Sequence, residues 1–149
     1  MIRGDEVLLL RHPSTHDRFP EQWNGIGGHV EEGECIRAAA RREVREETGL
    51  ELDSLALRGI VHESGLLGHA HVLFIFIAEQ SDADLLEELD SPEGLLLAWQ
   101  PLGDLTALPL VHDVDVLLER ALSAREPFFA LETYAEGAVP TSVRIEAHA

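Results

Sequence analysis

The sequence predicts a mixed fold of the α/β or α+β class, with strands at the centre and helices outside. Two segments, residues 35–48 and 111–124, carry apolar residues at the three- and four-residue spacing of an amphipathic helix. Apolar stretches of strand length precede, separate and follow these helices. A chain of 149 residues is long enough for one domain of ordinary size, so residues 1–149 are expected to form a single domain.

The first predicted strand covers residues 6–11, with the sequence EVLLLR. Residues 12–27 are predicted to form a loop, because prolines and glycines interrupt them. Gly49 stands where a cap for the first helix is expected. The apolar residues that define this helix share one face: Ile36, Ala39, Ala40 and Val44.

The later elements are predicted from similar patterns. Residues 55–63 and 69–80 are predicted as two strands joined by the turn SGLLG, and an acidic connection follows at residues 81–94. The remaining elements are, in order, a strand at 95–100, a short turn or helix at 101–105, the second helix at 111–124, and closing strands at 128–134 and 142–146.

The formal net charge is −17, from 28 acidic residues against 11 arginines and no lysine. This charge argues against a nucleic-acid polymer or an anionic membrane surface as the main partner, since both favour clustered basic side chains. A single cysteine excludes an internal disulfide and is typical of a reducing compartment. The sequence has no apolar run of about 18 residues and no signal-peptide pattern, so we expect a cytoplasmic protein.

Three glutamates crowd one face near the end of the first helix: Glu43, Glu46 and Glu47. Like charges at this spacing disfavour a helix, and carboxylates near its C-terminus oppose the helix dipole. A cation between them would remove both penalties, and oxygen ligands are suited to Mg²⁺ or Mn²⁺. The alternative interpretation is an ordinary solvated, charged helix.

The full spacing decides between these interpretations, because it resembles the Nudix box at all nine defined positions over 23 residues. The matching residues are Gly28, Glu34, Arg42, Glu43, Val44, Glu46, Glu47, Gly49 and Leu50. The resemblance implies a Nudix (MutT-like) hydrolase with an α/β/α sandwich fold around a central mixed sheet. It also implies metal-dependent hydrolysis of a nucleoside diphosphate linked to another group, with Mg²⁺ or Mn²⁺ neutralising the phosphate charge.

Site roles follow from the same resemblance, residue by residue. Glu43 and Glu47 correspond to the principal metal ligands, with Glu46 as a third and the carbonyl of Gly28 as a further ligand. Glu34 corresponds to the loop glutamate that Arg42 holds against the helix. The resemblance leaves the general base open among Glu43, Glu46 and a loop acid. A further metal ligand is expected from a later loop. Glu93 is the preferred candidate, and Glu87 and Glu88 are the next candidates.

Substrate contacts are expected outside the box. The segment WNGIGG at residues 23–28 is similar to that of the subgroup acting on oxidised purine nucleoside triphosphates, which makes Asn24 a base contact; the alternative is a loop asparagine bonded to backbone. Gly27 and Gly28 permit close approach of phosphates. Asp113 corresponds to a base-reading aspartate, or alternatively to a helix N-cap. The subgroup's stacking aromatic is replaced here by Leu108-Pro109-Leu110, which weakens an oxidised-guanine assignment.

The function most consistent with these residues is hydrolysis of a nucleoside triphosphate, oxidised or not, to a monophosphate and pyrophosphate. The alternatives are an ADP-ribose or nucleotide-sugar hydrolase, a dinucleoside polyphosphate hydrolase, and a nucleotide sensor without turnover. Residues 59–119 contain twelve acids and no arginine, so binding of a polyphosphate is expected to depend strongly on divalent cations.

Two expectations concern the start of the chain and its histidines. Family members usually have a strand before the one that contains Val7, and only six residues precede Val7 here. Either that strand is absent, or it is supplied differently, or the reading frame begins upstream. Loss of the strand would expose a sheet edge and favour a homodimer. His69 and His71 alternate on a strand without a third ligand, so they are expected at surface or edge positions rather than in a metal site.

Overall fold

The computed structural model describes residues 1–52, 54–79, 91, 95–135 and 139–146. The chain divides into two compact units, which we describe separately. The first contains residues 1–55 and 78–111, and the second contains residues 56–77 and 112–149. None of the helices among the described residues is long and apolar enough to cross a membrane.

The sheet of the first unit is built around β2 (Glu6–Arg11). Its partner β6 (Leu96–Pro101) runs antiparallel along the whole strand, from Glu6 opposite Pro101 to Arg11 opposite Leu96. The four central residues of β2, VLLL, are all buried, as their continuous apolar sequence predicts. A 3₁₀ helix, Leu102–Ala107, follows β6 where a short turn or helix was predicted.

Two short strands were not predicted. β1 (Ile2–Arg3) pairs antiparallel with the first part of β2, and β3 (Trp23–Asn24) pairs with its last part. Each strand has two residues, which is too few for a periodic pattern. Each forms because its backbone pairs with β2, and not because of its own sequence. The prediction of residues 12–27 as loop throughout was therefore wrong at β3.

The edge of β2 that was expected to be free is thus occupied at both ends. β1 lies before β2 in the chain and pairs with it, which contradicts the alternative that this strand is absent, and Ile2 also pairs with Glu79. The unpaired edge was the physical reason for expecting a homodimer. The homodimer stays a prediction, and this part of the structure gives it no support.

Helix α1 (Ile36–Thr48) matches its prediction within one residue. It begins after Cys35 and ends at Gly49, whose φ of 74° is the left-handed conformation of a C-cap glycine. The buried side of α1 contains Ala39, Val44 and Thr48. Its two early arginines, Arg37 and Arg41, donate hydrogen bonds to the carbonyls of Leu55 and Leu52 and so tie down the chain that follows the helix.

The second unit contains a mixed four-stranded sheet in the order β5-β4-β7-β8. Its strands are β4 (Ala56–Leu66), β5 (His69–Ile77), β7 (Phe128–Tyr134) and β8 (Pro140–Ile145). β4 and β7 are parallel and the other two pairs are antiparallel. Helix α2 (Val114–Ser123) packs against β4 and β5. It starts three residues later than predicted.

The predicted fold class is confirmed, since the chain is a mixed α+β structure with a mixed sheet. The hairpin prediction is also confirmed, although β4 extends through Leu66 into the predicted turn. Of the acidic connection predicted at residues 81–94, only Ser91 lies within the described residues.

The parallel β4–β7 pair supplies a test of core packing. Phe128 is fully buried, and a Cβ added to Gly59 would lie 2.6 Å from Cε1 of its ring. Gly59→Ala is expected to lower the free energy of unfolding by about 1–3 kcal/mol, because the ring must leave its packed position. Urea denaturation measures this value.

Gly103→Ala is the matched control, because no atom lies within 4 Å of the Cβ it would gain. Its unfolding free energy is expected to stay within about 0.5 kcal/mol of the wild type. Equal stability of the two variants would contradict the packing argument.

Candidate active site

The guanidinium of Arg42 connects three glutamates and one backbone carbonyl. Nε and Nη2 donate to the two carboxylate oxygens of Glu34 at 3.1 and 3.0 Å. Nη1 donates to Glu43 and to Glu46, each at 2.9 Å, and Nη2 also donates to the carbonyl of His29 at 2.9 Å. All five N–H donors of Arg42 are therefore used.

The hydrogen bonds of this network shift the pKa values of Glu34 and Arg42. Hydrogen bonds from Arg42 hold the pKa of Glu34 below its usual range. The same hydrogen bonds, to Glu34, Glu43 and Glu46 in that order, raise the pKa of Arg42 further above its already high value. Arg42 therefore remains a positive centre between these carboxylates at any physiological pH, and its charge counters part of their mutual repulsion.

Gly27 and Gly28 bring the backbone of the loop against two of the helix carboxylates. A Cβ on Gly28 would lie 2.6 Å from Oε2 of Glu43, so only glycine leaves room for that carboxylate. The N–H of Gly27 donates to Oε2 of Glu47 at 3.0 Å. Gly27 has φ of 152°, which an L-residue rarely adopts. Both glycines thus have structural reasons for their identity at this site.

The structure brings together the residues that the box pattern selected, all within the first unit. They are Gly27, Gly28, Glu34, Arg42, Glu43, Glu46 and Glu47. Glu43 is largely buried, with 16% of its side chain exposed, and Glu46 reaches solvent with 44% exposed. Carboxylate oxygens beside a tightly approached glycine backbone are a donor set suited to Mg²⁺ or Mn²⁺.

The other sequence candidates lie elsewhere. Asn24, on β3, accepts a hydrogen bond from the N–H of Gly25 at 2.8 Å, which agrees with the alternative of a local backbone contact. Its amide nitrogen lies 3.4 Å from Nε2 of His12. His69 is exposed and His71 half-buried, in agreement with surface or edge positions. The proposed later ligands Glu93, Glu87 and Glu88 lie outside the described residues.

Asp113 lies in a second group of acids, within the second unit. It occupies the N-cap position of α2, yet its side chain makes no capping hydrogen bond, so the helix-cap interpretation is not supported. Instead, one carboxylate oxygen each from Asp113, Glu63 and Glu132 lies within 4.8 Å of the others. Sequence reasoning missed Glu63 and Glu132.

A signal for Glu132 was nevertheless present. Along β7 the buried positions alternate as Phe128, Ala130, Glu132 and Tyr134, so the strand pattern places a carboxylate among inward-facing side chains. Glu63 could not be found this way, because its position beside Glu132 depends on the parallel register of β4 and β7. We call Glu63, Asp113 and Glu132 the inner acidic cluster.

Glu132 is the most constrained member of the inner acidic cluster. It is fully buried, and the hydroxyl of Tyr134 donates to its Oε2 at 2.9 Å. Its other oxygen, Oε1, has no hydrogen-bond partner. Burial, followed by the negative charge of Asp113, raises the pKa of Glu132 to about 7. A buried carboxylate with one unsatisfied oxygen costs on the order of 1–3 kcal/mol unless a proton or another positive species compensates it.

Comparison with known proteins gives consistent matches. The NUDIX domain model matches residues 1–121. The chain is 35% identical over 133 residues to the NAD-capped RNA hydrolase NudC of Pseudomonas aeruginosa, covering 85% of this chain and 45% of that protein. It is 33% identical over 124 residues to the human 8-oxo-dGDP phosphatase NUDT18, covering 82% of this chain and 36% of that protein. The chain thus spans less than half the length of these two relatives.

A solved structure covers nearly the whole chain. The crystal structure of the mutator MutT protein from Bacillus halodurans superposes with a TM-score of 0.78 at 27% identity. The match covers 97% of this chain and 92% of the other. Similarity to this structure therefore extends well beyond the segment that carries the box.

The Arg42 network predicts a specific effect on the loop at residues 28–34. Arg42→Lys keeps the charge, but one ammonium group cannot bond to three carboxylates and a carbonyl together. Backbone amides of the loop are expected to exchange with solvent at least several-fold faster. Hydrogen exchange followed by mass spectrometry measures this rate.

Arg45→Lys is the control, since Arg45 is exposed and its ion pair with Glu51 has an N···O distance of 3.6 Å. It should leave exchange in the loop unchanged. If both variants give the wild-type exchange rate, Arg42 does not hold the loop.

The raised pKa of Glu132 predicts a pH dependence of stability when divalent cations are removed with EDTA. In the unfolded chain a glutamate titrates near 4.5, whereas Glu132 titrates near 7 in the folded chain. Between these values the folded state binds more protons, so this group makes stability fall as pH rises through the window. The melting temperature is expected to decrease over this range more in the wild type than in Glu132→Gln.

The glutamine variant is the control for all other titrating groups, because it retains every one of them. Thermal melts at closely spaced pH values give the difference curve. Parallel curves for the two proteins would show that Glu132 does not titrate with a raised pKa.

Proposed function

The chain belongs to the NUDIX domain family of hydrolases acting on phosphoanhydride bonds, and from that premise we propose that it converts a nucleoside triphosphate to a monophosphate and pyrophosphate. The observation that carries the proposal is the Arg42 network, which holds three glutamates of the box beside the Gly27-Gly28 backbone. Such a constellation is suited to a substrate whose reacting group is a diphosphate.

Glu43, Glu47 and Glu46, with the carbonyl of Gly28, would hold a Mg²⁺ or Mn²⁺ ion. When bound, the ion supplies the positive charge that stabilises the phosphate oxygens during displacement. The fit rests on the oxygen donor set and on the room that Gly28 leaves for the carboxylate of Glu43. A further ligand is proposed from Glu93.

The remaining groups position the reacting ones. Arg42 neutralises part of the crowded negative charge and fixes Glu43 and Glu46, while Glu34 fixes the orientation of the guanidinium through two hydrogen bonds. The Gly27 N–H bond limits the rotation of Glu47. Removal of a proton from the attacking water falls to Glu43, Glu46 or a loop carboxylate, each an acceptor suited to this step.

Asn24 and Asp113 are proposed as substrate-binding residues that select the base. The relative NUDT18 is named for an oxidised guanine nucleotide, which supports a purine nucleotide as the substrate. The replacement of the stacking aromatic by Leu108-Pro109-Leu110 argues against specificity for oxidised guanine. We therefore propose a nucleoside triphosphate, oxidised or not, as the substrate. We also propose that residues 1–149 form a single domain.

A dinucleotide pyrophosphate is the second candidate substrate, favoured by the similarity to NudC, which is named for NAD-capped RNA. The net charge of −17 favours a small dinucleotide over a nucleic-acid polymer. The same charge supports binding of the nucleotide together with a divalent cation, and the single cysteine supports a cytoplasmic location.

Glu47→Gln tests the proposed mechanism. The protein is assayed with Mg²⁺ against nucleoside triphosphates, oxidised purine nucleotides, ADP-ribose, a nucleotide sugar, dinucleoside polyphosphates and NAD-capped RNA. For the substrate that is turned over, loss of one charged ligand is expected to reduce kcat by at least about 100-fold, because metal stabilisation of the transition state amounts to several kcal/mol.

Glu126→Gln is the matched control, because Glu126 is an exposed glutamate of the second unit and has no role in the proposed hydrolysis. It should keep the wild-type rate. EDTA should abolish both hydrolysis and nucleotide binding. Equal activity of Glu47→Gln and the wild type would overturn the assigned role of the box, and stable nucleotide binding without turnover would identify a sensor.

A further inference from the structure

The inner acidic cluster joins three elements of the second unit. Glu63 lies on β4, Glu132 on β7, and Asp113 at the start of α2. In the parallel register Glu63 is directly opposite Glu132, so two carboxylates occupy neighbouring positions of the sheet. Like charges placed directly opposite each other destabilise a sheet. Asp113, at the start of α2, adds a third carboxylate.

The two most buried members of the cluster, Asp113 and Glu132, are not compensated in the way that the glutamates of the Nudix box are. Among the described residues, no ion pair links Asp113 or Glu132 to an arginine, whereas Arg42 serves three glutamates of the box. Asp113 is 8% exposed and Glu132 is fully buried, so water does not replace the missing positive charge.

The orientation of Glu132 points to a ligand. Tyr134 donates to Oε2 and so fixes the carboxylate, leaving Oε1 buried with no hydrogen-bond partner. A carboxylate oxygen fixed in this way can bind a cation or accept a proton. The three nearest carboxylate oxygens lie within 4.8 Å of one another. Two oxygens bound to one Ca²⁺ at about 2.3–2.6 Å are at most about 4.6–5.2 Å apart, so this spacing is compatible with three ligands of one cation.

We propose that Glu63, Asp113 and Glu132 form a binding site for a divalent cation, separate from that of the Nudix box. The donors are all carboxylate oxygens, which selects a hard ion of the Mg²⁺, Mn²⁺ or Ca²⁺ class over zinc. The half-buried Glu63 provides the side of the cluster that is most open to solvent. The cation stabilises the β4–β7 pair and the start of α2.

This site goes beyond the proposed hydrolysis and does not depend on it. All of its ligands belong to the second unit, whereas the box residues belong to the first. A cation would hold the carboxylate of Asp113 in one orientation. That is compatible with a role of Asp113 in substrate binding, because its carboxylate has two oxygens.

The test uses the full chain with the box disabled by Glu43→Gln and Glu47→Gln. Binding of Mn²⁺ to this protein is followed by the electron paramagnetic resonance signal of the free ion at constant pH. One saturable Mn²⁺ per chain is expected. Adding Glu132→Gln is expected to weaken that binding at least tenfold, and adding Glu126→Gln, an exposed glutamate of the same unit, is expected to leave it unchanged.

Thermal melts separate a binding defect from a folding defect. In EDTA the triple variant with Glu132→Gln should melt no lower than its parent, because the amide removes a buried charge. Added Mn²⁺ should then raise the melting temperature of the parent but not of the triple variant. If Glu132→Gln fails to fold, Glu63→Gln provides the same comparison at a half-buried position.

Two outcomes overturn the proposal. One is Mn²⁺ binding of equal affinity with and without Glu132→Gln. The other is a box-disabled protein that binds no Mn²⁺ and gains stability only as pH is lowered, which identifies a proton as the compensating species. Because the box is already disabled, either outcome leaves the test of hydrolysis by Glu47→Gln unaffected.

Discussion

Crowding of negative charge is the constraint on which this protein depends most. The end of α1 places Glu43, Glu46 and Glu47 on one face, against both mutual repulsion and the helix dipole. Arg42 makes this arrangement tolerable, since its guanidinium is planar, always charged and able to bond several acceptors together. By also binding Glu34 and the carbonyl of His29, the same side chain connects the loop to the helix.

Negative charge is also crowded in the inner acidic cluster, but there the carboxylates are more deeply buried. Arg42 and its partners are partly exposed, so solvent screens the remaining repulsion. Glu132 is fully buried, and the group that donates to its Oε2 is the neutral hydroxyl of Tyr134. Burial raises the pKa of that tyrosine above its usual value, so it stays protonated and keeps donating. A neutral donor orients a carboxylate without removing its charge, which is why the second cluster needs a proton or a cation.

The sequence predicted the fold best where the determining contacts are local. The apolar spacing and the terminal glycine of α1 gave its limits within one residue. Strands β2, β4, β5 and β6 were predicted from their apolar stretches, and the turn residues between β4 and β5 predicted that hairpin. The pairing of β2 with β6 was not predicted. β1 and β3 were missed because two residues carry no pattern, and both depend on hydrogen bonds to β2, which only the folded chain supplies.

The sequence by itself determined the box, because a helix and its preceding loop place Gly28, Arg42 and Glu43 by short-range spacing that can be read along the chain. Only the tertiary structure decided that the side chain of Asp113 makes no capping hydrogen bond to α2 and that Glu63 and Glu132 are its neighbours. β4 and β7 are separated by more than sixty residues, and their parallel register follows from packing between distant segments. A one-residue shift of that register would turn Glu132 to the other face, and no local pattern specifies it.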